Sequence, residues 1–251
     1  MFDRSATVYV IKNFELNSRK VPPPMFHSVE YRFTLPTGET HTFCVDLCDI
    51  VREPSIDEPA PPEWTTLAFH KCPGCPLSSL EITHCPAAQD IHRVVDTFSS
   101  IMSHTEAEIQ VVTPQRSYHK SCDVQTGLGA LLGLLMAGSG CPVLSKLKAM
   151  AHFHLPFASL DETIFRTVGT YLIQQYLVAQ DGGTPDFELK HLKDLYEELE
   201  SLNNAMAQRL RNAAECDASV NAIVGFFGVS YLVRDSIDEQ LQSFKVLYDC
   251  P

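Results

Sequence analysis

Basic residues are scarce in this sequence. Lys and Arg total 19 against 31 Asp and Glu, a formal net charge of −12. Affinity for a phosphate backbone comes largely from Lys and Arg, so the balance speaks against nucleic acid and against docking on an anionic membrane. Long apolar runs are missing as well. Residues 124–135 (VQTGLGALLGLL) are interrupted by Gly127, Gly129 and Gly133. Residues 222–233 fall short of the roughly 20 needed to cross ~30 Å of hydrocarbon, and both stretches read as buried core helices. The opening MFDRSATVYV lacks the basic and apolar regions of an export signal. No Walker sequence, HExxH or G-x-S-x-G occurs. Gly127, Gly129 and Gly133 imitate a dinucleotide fingerprint, but no strand of a βαβ unit leads into them, so that reading is rejected.

What is present is ordinary globular composition, 45% hydrophobic and 20% charged. A chain of 251 residues can bury a sizeable core without disulfide staples. With no export signal, its nine cysteines are expected to be reduced in a cytoplasm. Spaced cysteines in that setting point to metal or redox chemistry.

The cysteines have a common neighbour. Residues 69–88 (FHKCPGCPLSSLEITHCPAA) hold Cys72, Cys75 and Cys85, each followed by proline, and Cys141-Pro142 ends a glycine-rich run downstream. Cys250-Pro251 makes five such pairs. At a proline frequency of ~5%, about half of one pair would arise by chance. Proline biases the preceding residue toward extended backbone, which presents the sulfur and stiffens the loop. Thiolate is a strong soft ligand for iron and zinc. One short C-x2-C pair with scattered single cysteines suits a [4Fe–4S]-type cluster, whose ligand runs also contain Cys-Pro. Zinc more often takes two short pairs, although His70 and His84 keep Cys/His sets open. The remaining possibility is loop punctuation around buried thiols. Cys72, Cys75, Cys85 and Cys141 are thus the expected cofactor and metal ligands, with Cys122 and Cys250 as alternatives to Cys141.

Strand signals come first. Residues 7–14 are β-branched and aromatic, and residues 28–35 and 40–47 alternate around a Pro36-Thr37-Gly38-Glu39 turn. One of Cys44 and Cys48 is expected to face a core as a small hydrophobe. The Pro- and acid-rich residues 53–63 read as a linker, and Trp64, Leu67 and Phe69 as anchors to the core. Helical spacing runs over residues 87–104, and residues 106–113 and 116–121 are a candidate strand pair. From residue 124 the pattern is helical over 124–137, 143–153, 159–180 behind the Ser159–Glu162 capping box, 187–214, 218–233 and 236–247. The expected fold class is α+β: an antiparallel β module (1–52), the linker (53–63), then a cysteine loop at the junction with a mainly helical bundle (64–251).

Other groups carry bland readings. His152 and His154 read as helix-end histidines, Glu162 and Arg166 as a helix-surface pair, and Glu197, Glu198 and Glu200 as a solvated face. His119 beside Cys122 is weak support for nucleophilic chemistry.

The segments CPGCPL, HCPAAQDI, SGCP, FHLPFAS and NNAMAQRLRNAAECDASVNAI resemble an uncharacterised bacterial family, a domain of unknown function, with the pattern CPxCPL, CPxA, SGCP and FHLP. The resemblance spans residue 64 to the C-terminus, more weakly the β module. It implies a Gram-negative, proteobacterial, cytoplasmic protein, maps the same four cysteines onto the family's, and brings no activity. The expected function is a cytoplasmic four-cysteine iron–sulfur protein with a redox, sensing or structural role and an unidentified protein or redox partner. The alternatives are a zinc-stapled interaction module and, last, an enzyme using the cluster site.

Overall fold

The structure is a computed structural model that describes residues 8–10, 28–47, 60–213 and 217–248. Alternation builds its sheet. Strand β2 (Ser28–Thr34) buries Val29, Tyr31 and Phe33 and turns Glu30 and Arg32 outward. Gly38, at φ +83°, makes the turn into β3 (Thr40–Asp46), which buries Phe43 and Val45 on the same face. Strands β4 (Glu106–Val112) and β5 (Ser117–Asp123) form a second hairpin. The order is β1-β3-β2-β4-β5, with the three-residue β1 (Val8–Val10) parallel to β3 and the other four strands antiparallel.

The expected boundary after residue 52 falls inside this sheet. Strand β2 pairs with β4, so the N-terminal hairpin is continued by strands that follow the cysteine loop. The pairing puts Phe33 opposite Ile109 and Tyr31 opposite Val111, which extends the apolar face and leaves β2 no free edge. Of the expected linker, residues 53–59 lie outside the described residues. Residues 60–62 lead into a 3₁₀ turn at Glu63–Thr65. Trp64 and Leu67 are buried there and Phe69 packs alongside, as expected.

Helix α1 (Pro86–Thr97) buries Ala87, Ala88, Ile91, Val94 and Val95. It stops seven residues before the expected end, where the Thr97 hydroxyl bonds back to the Arg93 carbonyl and Ser99 to that of Asp96. Helix α2 (Val124–Gly138) is capped by Asp123, whose carboxylate accepts from Thr126 N–H. Gly127 explains how closely α2 approaches the sheet, since a Cβ there would collide with Ile109 and lie 2.7 Å from Phe33 Cε1. A 3₁₀ turn (Leu144–Leu147) and the short α3 (Lys148–His152) replace the single helix expected over 143–153. Helix α4 (Leu160–Gln180) opens on the reciprocal Ser159–Glu162 capping box.

Helix α5 (Lys190–Arg211) buries Leu192, Tyr196, Leu199, Leu202, Met206 and Leu210. Helix α6 (Ala218–Ser243) is continuous where a break after residue 233 was expected. No proline or glycine stands at 234 or 235, and Arg234 instead bonds Glu200 of α5. The fold is α+β, with α2 sandwiched between the sheet, α1 and α6. Among the described residues no helix is long and apolar enough to cross a membrane.

Candidate functional site

The cysteine loop is pinched at its base. Leu67 N–H donates to Thr83 O and Cys85 N–H to Thr65 O, both at 2.8 Å. The Thr65 hydroxyl donates to Pro62 O at 2.7 Å and lies 2.8 Å from His84 Nδ1. With its proton spent on Pro62, that hydroxyl accepts from His84, which fixes the His84 proton on Nδ1. His84 is thereby tied to the loop's base. Within the loop, Cys75 N–H donates to Cys72 O at 3.0 Å, closing a turn with Pro73-Gly74 at its centre. Lys71 Nζ bonds Leu77 O at 2.6 Å.

Cys85 is the N-cap residue of α1, at φ −67° and ψ 120°, with Pro86 in the first turn. This is the extended geometry that a following proline favours. Its place sets the thiol at the N-terminus of that helix.

Cys141 reaches the same place from the end of α2. Ser139 turns the chain there: its hydroxyl donates to Met136 O at 2.6 Å and accepts from Cys141 N–H at 3.3 Å. Gly140 lies against Pro86, where an added Cβ would stand 3.5 Å from the proline Cβ. The Cys141 thiol accepts from the backbone N–H groups of Leu144 and Val143. Cys85 and Cys141 are both buried, and Cys72 and Cys75 are half-buried.

The four thiols feel one another. Burial pushes Cys72 up to about 11, and the neighbouring Cys85, Cys75 and Cys141 add to the rise, with Arg209 opposing it. Burial likewise raises Cys141, against the pull of the Leu144 and Val143 N–H groups, with Cys85 and Cys75 adding to it. The tertiary fold thus brings Cys141 to Cys72, Cys75 and Cys85. Among the described residues no three His, Cys, Asp or Glu side chains are grouped as a single metal ion requires.

Arg209 is the member of this neighbourhood that sequence reasoning missed. It is fully buried on α5. Its Nη1 donates to Trp64 O at 2.8 Å and Thr66 O at 2.7 Å, and Nη2 to Leu67 O at 3.2 Å. Burial lowers its pKa, while Cys85, Cys72 and Cys75 hold it up. Its Nε is buried without a hydrogen-bond partner. A signal did exist: position 209 falls on the buried stripe between Met206 and Leu210, where a charged residue needs a partner.

The other candidates lie elsewhere. Cys122, on β5, has its thiol raised by burial and surrounded by Lys120, Asp123, Glu106 and Glu108 rather than by the four cysteines. Cys44 turns away from the core, which Phe43 and Val45 face, and its thiol points to Glu30 Oε2 at 4.0 Å. Cys48, the other of the pair expected to supply a core thiol, lies outside the described residues, as do Cys216 and Cys250. Glu162 and Arg166 do not form the expected surface pair. Glu162 closes the capping box, and Arg166 donates to the carbonyls of Met150 and Phe153. Glu198 pairs with Lys146 at 2.6 Å and Glu200 with Arg234, so that face is ion-paired.

The family model of a domain of unknown function, DUF6901, matches residues 29–249. The chain belongs to the DUF6901 family. No curated protein and no solved structure matches it significantly. In this DUF6901 member the match takes in the sheet from β2 onward, the cysteine loop, Cys141 and Arg209, so the whole candidate site lies inside the family domain.

Proposed function

We propose that this chain is an iron–sulfur protein in which Cys72, Cys75, Cys85 and Cys141 hold a [4Fe–4S]-type cluster. The observation that carries the reading is the meeting of four Cys-Pro thiols from two distant segments beside a buried arginine whose Nε has no partner. The donor set fits such a group. All four ligands are soft thiols, and cluster ligands stand further apart than those of one ion. Zinc at Zn–S distances of about 2.3 Å needs at least three ligands closely gathered, and among the described residues no three His, Cys, Asp or Glu side chains are so grouped.

Bound there, a cluster would supply one-electron redox chemistry. The chain's own residues supply the rest. Arg209 offers Nε–H and a positive charge to sulfur, and the α1 N-terminus brings the positive end of its dipole to Cys85. The Leu144 and Val143 N–H groups bond Cys141 sulfur. Such donors stabilise the reduced, more negative state and raise the potential. Half-buried Cys72 and Cys75 share their loop with Leu80, which is 97% exposed, and this face would offer a redox partner protein its approach. The reading requires a reducing compartment and so places the protein in the cytoplasm.

Anaerobic purification with analysis of iron, sulfide and zinc tests it. About four irons and four sulfides per chain, with visible absorbance that bleaches on reduction, are expected. A colourless protein with stoichiometric zinc supports a zinc staple instead, and a metal-free anaerobic preparation removes both readings.

A further inference from the structure

A cavity of about 490 Å³ lies away from the cysteines, among α2, the 144–158 segment and the facing turns of α4, α5 and α6. Its volume is that of a small-molecule site. One wall is α2, where Gly129, Ala130 and Gly133 present no bulk, and Leu134 and Leu147 continue it. A second cavity of about 360 Å³ opens toward β2, and His154, Leu155 and Arg166 line both.

The charged groups that line them are all of one sign. In a chain of net charge −12, no Asp or Glu lines either cavity among the described residues, whereas Lys120, Arg166 and His154 line the larger one. Arg166 spends Nη2 on Met150 O at 2.9 Å and Phe153 O at 2.7 Å. Among the described residues its Nε and Nη1 make no hydrogen bond and no carboxylate forms a salt bridge with it. Lys120 Nζ sits 5.5 Å from the centre of the Phe157 ring, another wall residue. His154 Nε2 is 2.5 Å from the hydroxyl of Tyr31, which is fully buried. Among the described residues the Tyr31 hydroxyl makes no other bond, so the phenol donates and the His154 proton is on Nδ1, a second donor facing the cavity.

We infer that this cavity binds a small monocarboxylic acid with an apolar body, its carboxylate held by Arg166 and Lys120 and its chain lying along Gly129, Ala130 and Gly133. Apolar walls favour a single charge, because each further charge taken from water adds a desolvation cost. An Arg N–H gives a charge-assisted bond to that oxygen. The site is separate from the cysteine loop and does not depend on the cluster reading.

Calorimetric titration of the full chain with octanoate, octanol and butanoate tests the assignment. Octanoate is expected to bind saturably at one site, with octanol and butanoate each at least tenfold weaker. Lys120→Met and Arg166→Met should each weaken octanoate at least tenfold and leave octanol unchanged. Ala130→Leu should abolish octanoate binding in a protein whose circular dichroism melt shows it folded. Arg166 also anchors two carbonyls, so if its variant does not fold, exposed Lys120 carries the charge test. No saturable octanoate binding by the folded wild type, octanol binding as tightly as octanoate, or undiminished binding by Ala130→Leu would each overturn the inference.

Discussion

Arg209 donates to the Trp64 carbonyl oxygen at 2.8 Å across 145 positions of sequence. This contact ties the middle of the bundle to the chain entering the cysteine loop. It makes Arg209 a clasp whatever the loop binds, because two further carbonyls, those of Thr66 and Leu67, accept from the same guanidinium.

Arg209→Met should therefore be costly. It removes a charged donor from three carbonyls, of which Thr66 O keeps only the Phe69 N–H, and charge-assisted bonds are worth about 1.5–3 kcal/mol each. A loss of about 3 kcal/mol in unfolding free energy is expected in urea titrations. Arg209→Lys should recover little of it, since an ammonium cannot span three acceptors as a planar fork does. An unchanged urea midpoint for Arg209→Met would remove the clasp.

Single Cys→Ser variants should divide into two sets. Changes at Cys72, Cys75, Cys85 or Cys141 are expected to lower bound iron and sulfide to less than half. Cys44→Ser and Cys122→Ser should leave both unchanged, because those thiols neighbour carboxylates and not the other cysteines. Full iron in Cys141→Ser would reduce the site to three cysteines.

His154 makes stability sensitive to mild acid. Unfolded, it titrates near its ordinary value of about 6.5. Folded, burial and then the Arg166 charge push it down to about 3. The folded state binds fewer protons between those values, so its contribution is complete above about pH 6.5 and declines as pH falls. At about 1.4 kcal/mol per unit, roughly 2 kcal/mol should be lost between pH 7 and pH 5. His154→Gln keeps an acceptor for the Tyr31 hydroxyl and should flatten that slope in urea midpoints measured at the two pH values.

Two helical glycines should respond in opposite directions to alanine. At Gly169 nothing lies within 4 Å of an added Cβ, so Gly169→Ala should stabilise by about 0.5–1 kcal/mol through helix propensity alone. At Gly127 the new Cβ meets Phe33 and Ile109, and Gly127→Ala should destabilise by about 1–3 kcal/mol as an overpacked core does. Thermal melts of the two variants decide this, and a stabilised Gly127→Ala would contradict the close approach of α2 to the sheet.

Much of the local structure was legible in the sequence because it depends on neighbours a few residues apart. Alternation marks β2 and β3, Ser159 and Glu162 mark the start of α4, and Leu192 through Leu210 mark the buried face of α5. Cys-Pro pairs foretell the extended backbone found at Cys85. Contacts between distant segments were not legible in the same way. The 52/53 boundary dissolved because an apolar strand edge can be completed by any strand of matching alternation, and here β4 completes it. The end of α1 was set by hydroxyls bonding back to carbonyls, which compete with helix over a single turn. The proline shared by Cys141 and the loop cysteines suggested a common site, but only the packing of Gly140 on Pro86 gives Cys141 its place beside Cys85. Arg209 carried one faint sign, a charge on an apolar stripe. Its three carbonyl partners, like the meeting of Lys120, His154 and Arg166 around one cavity, exist only once the bundle closes on the sheet, because side-chain neighbourhoods depend on which surfaces pack together and not on spacing along the chain.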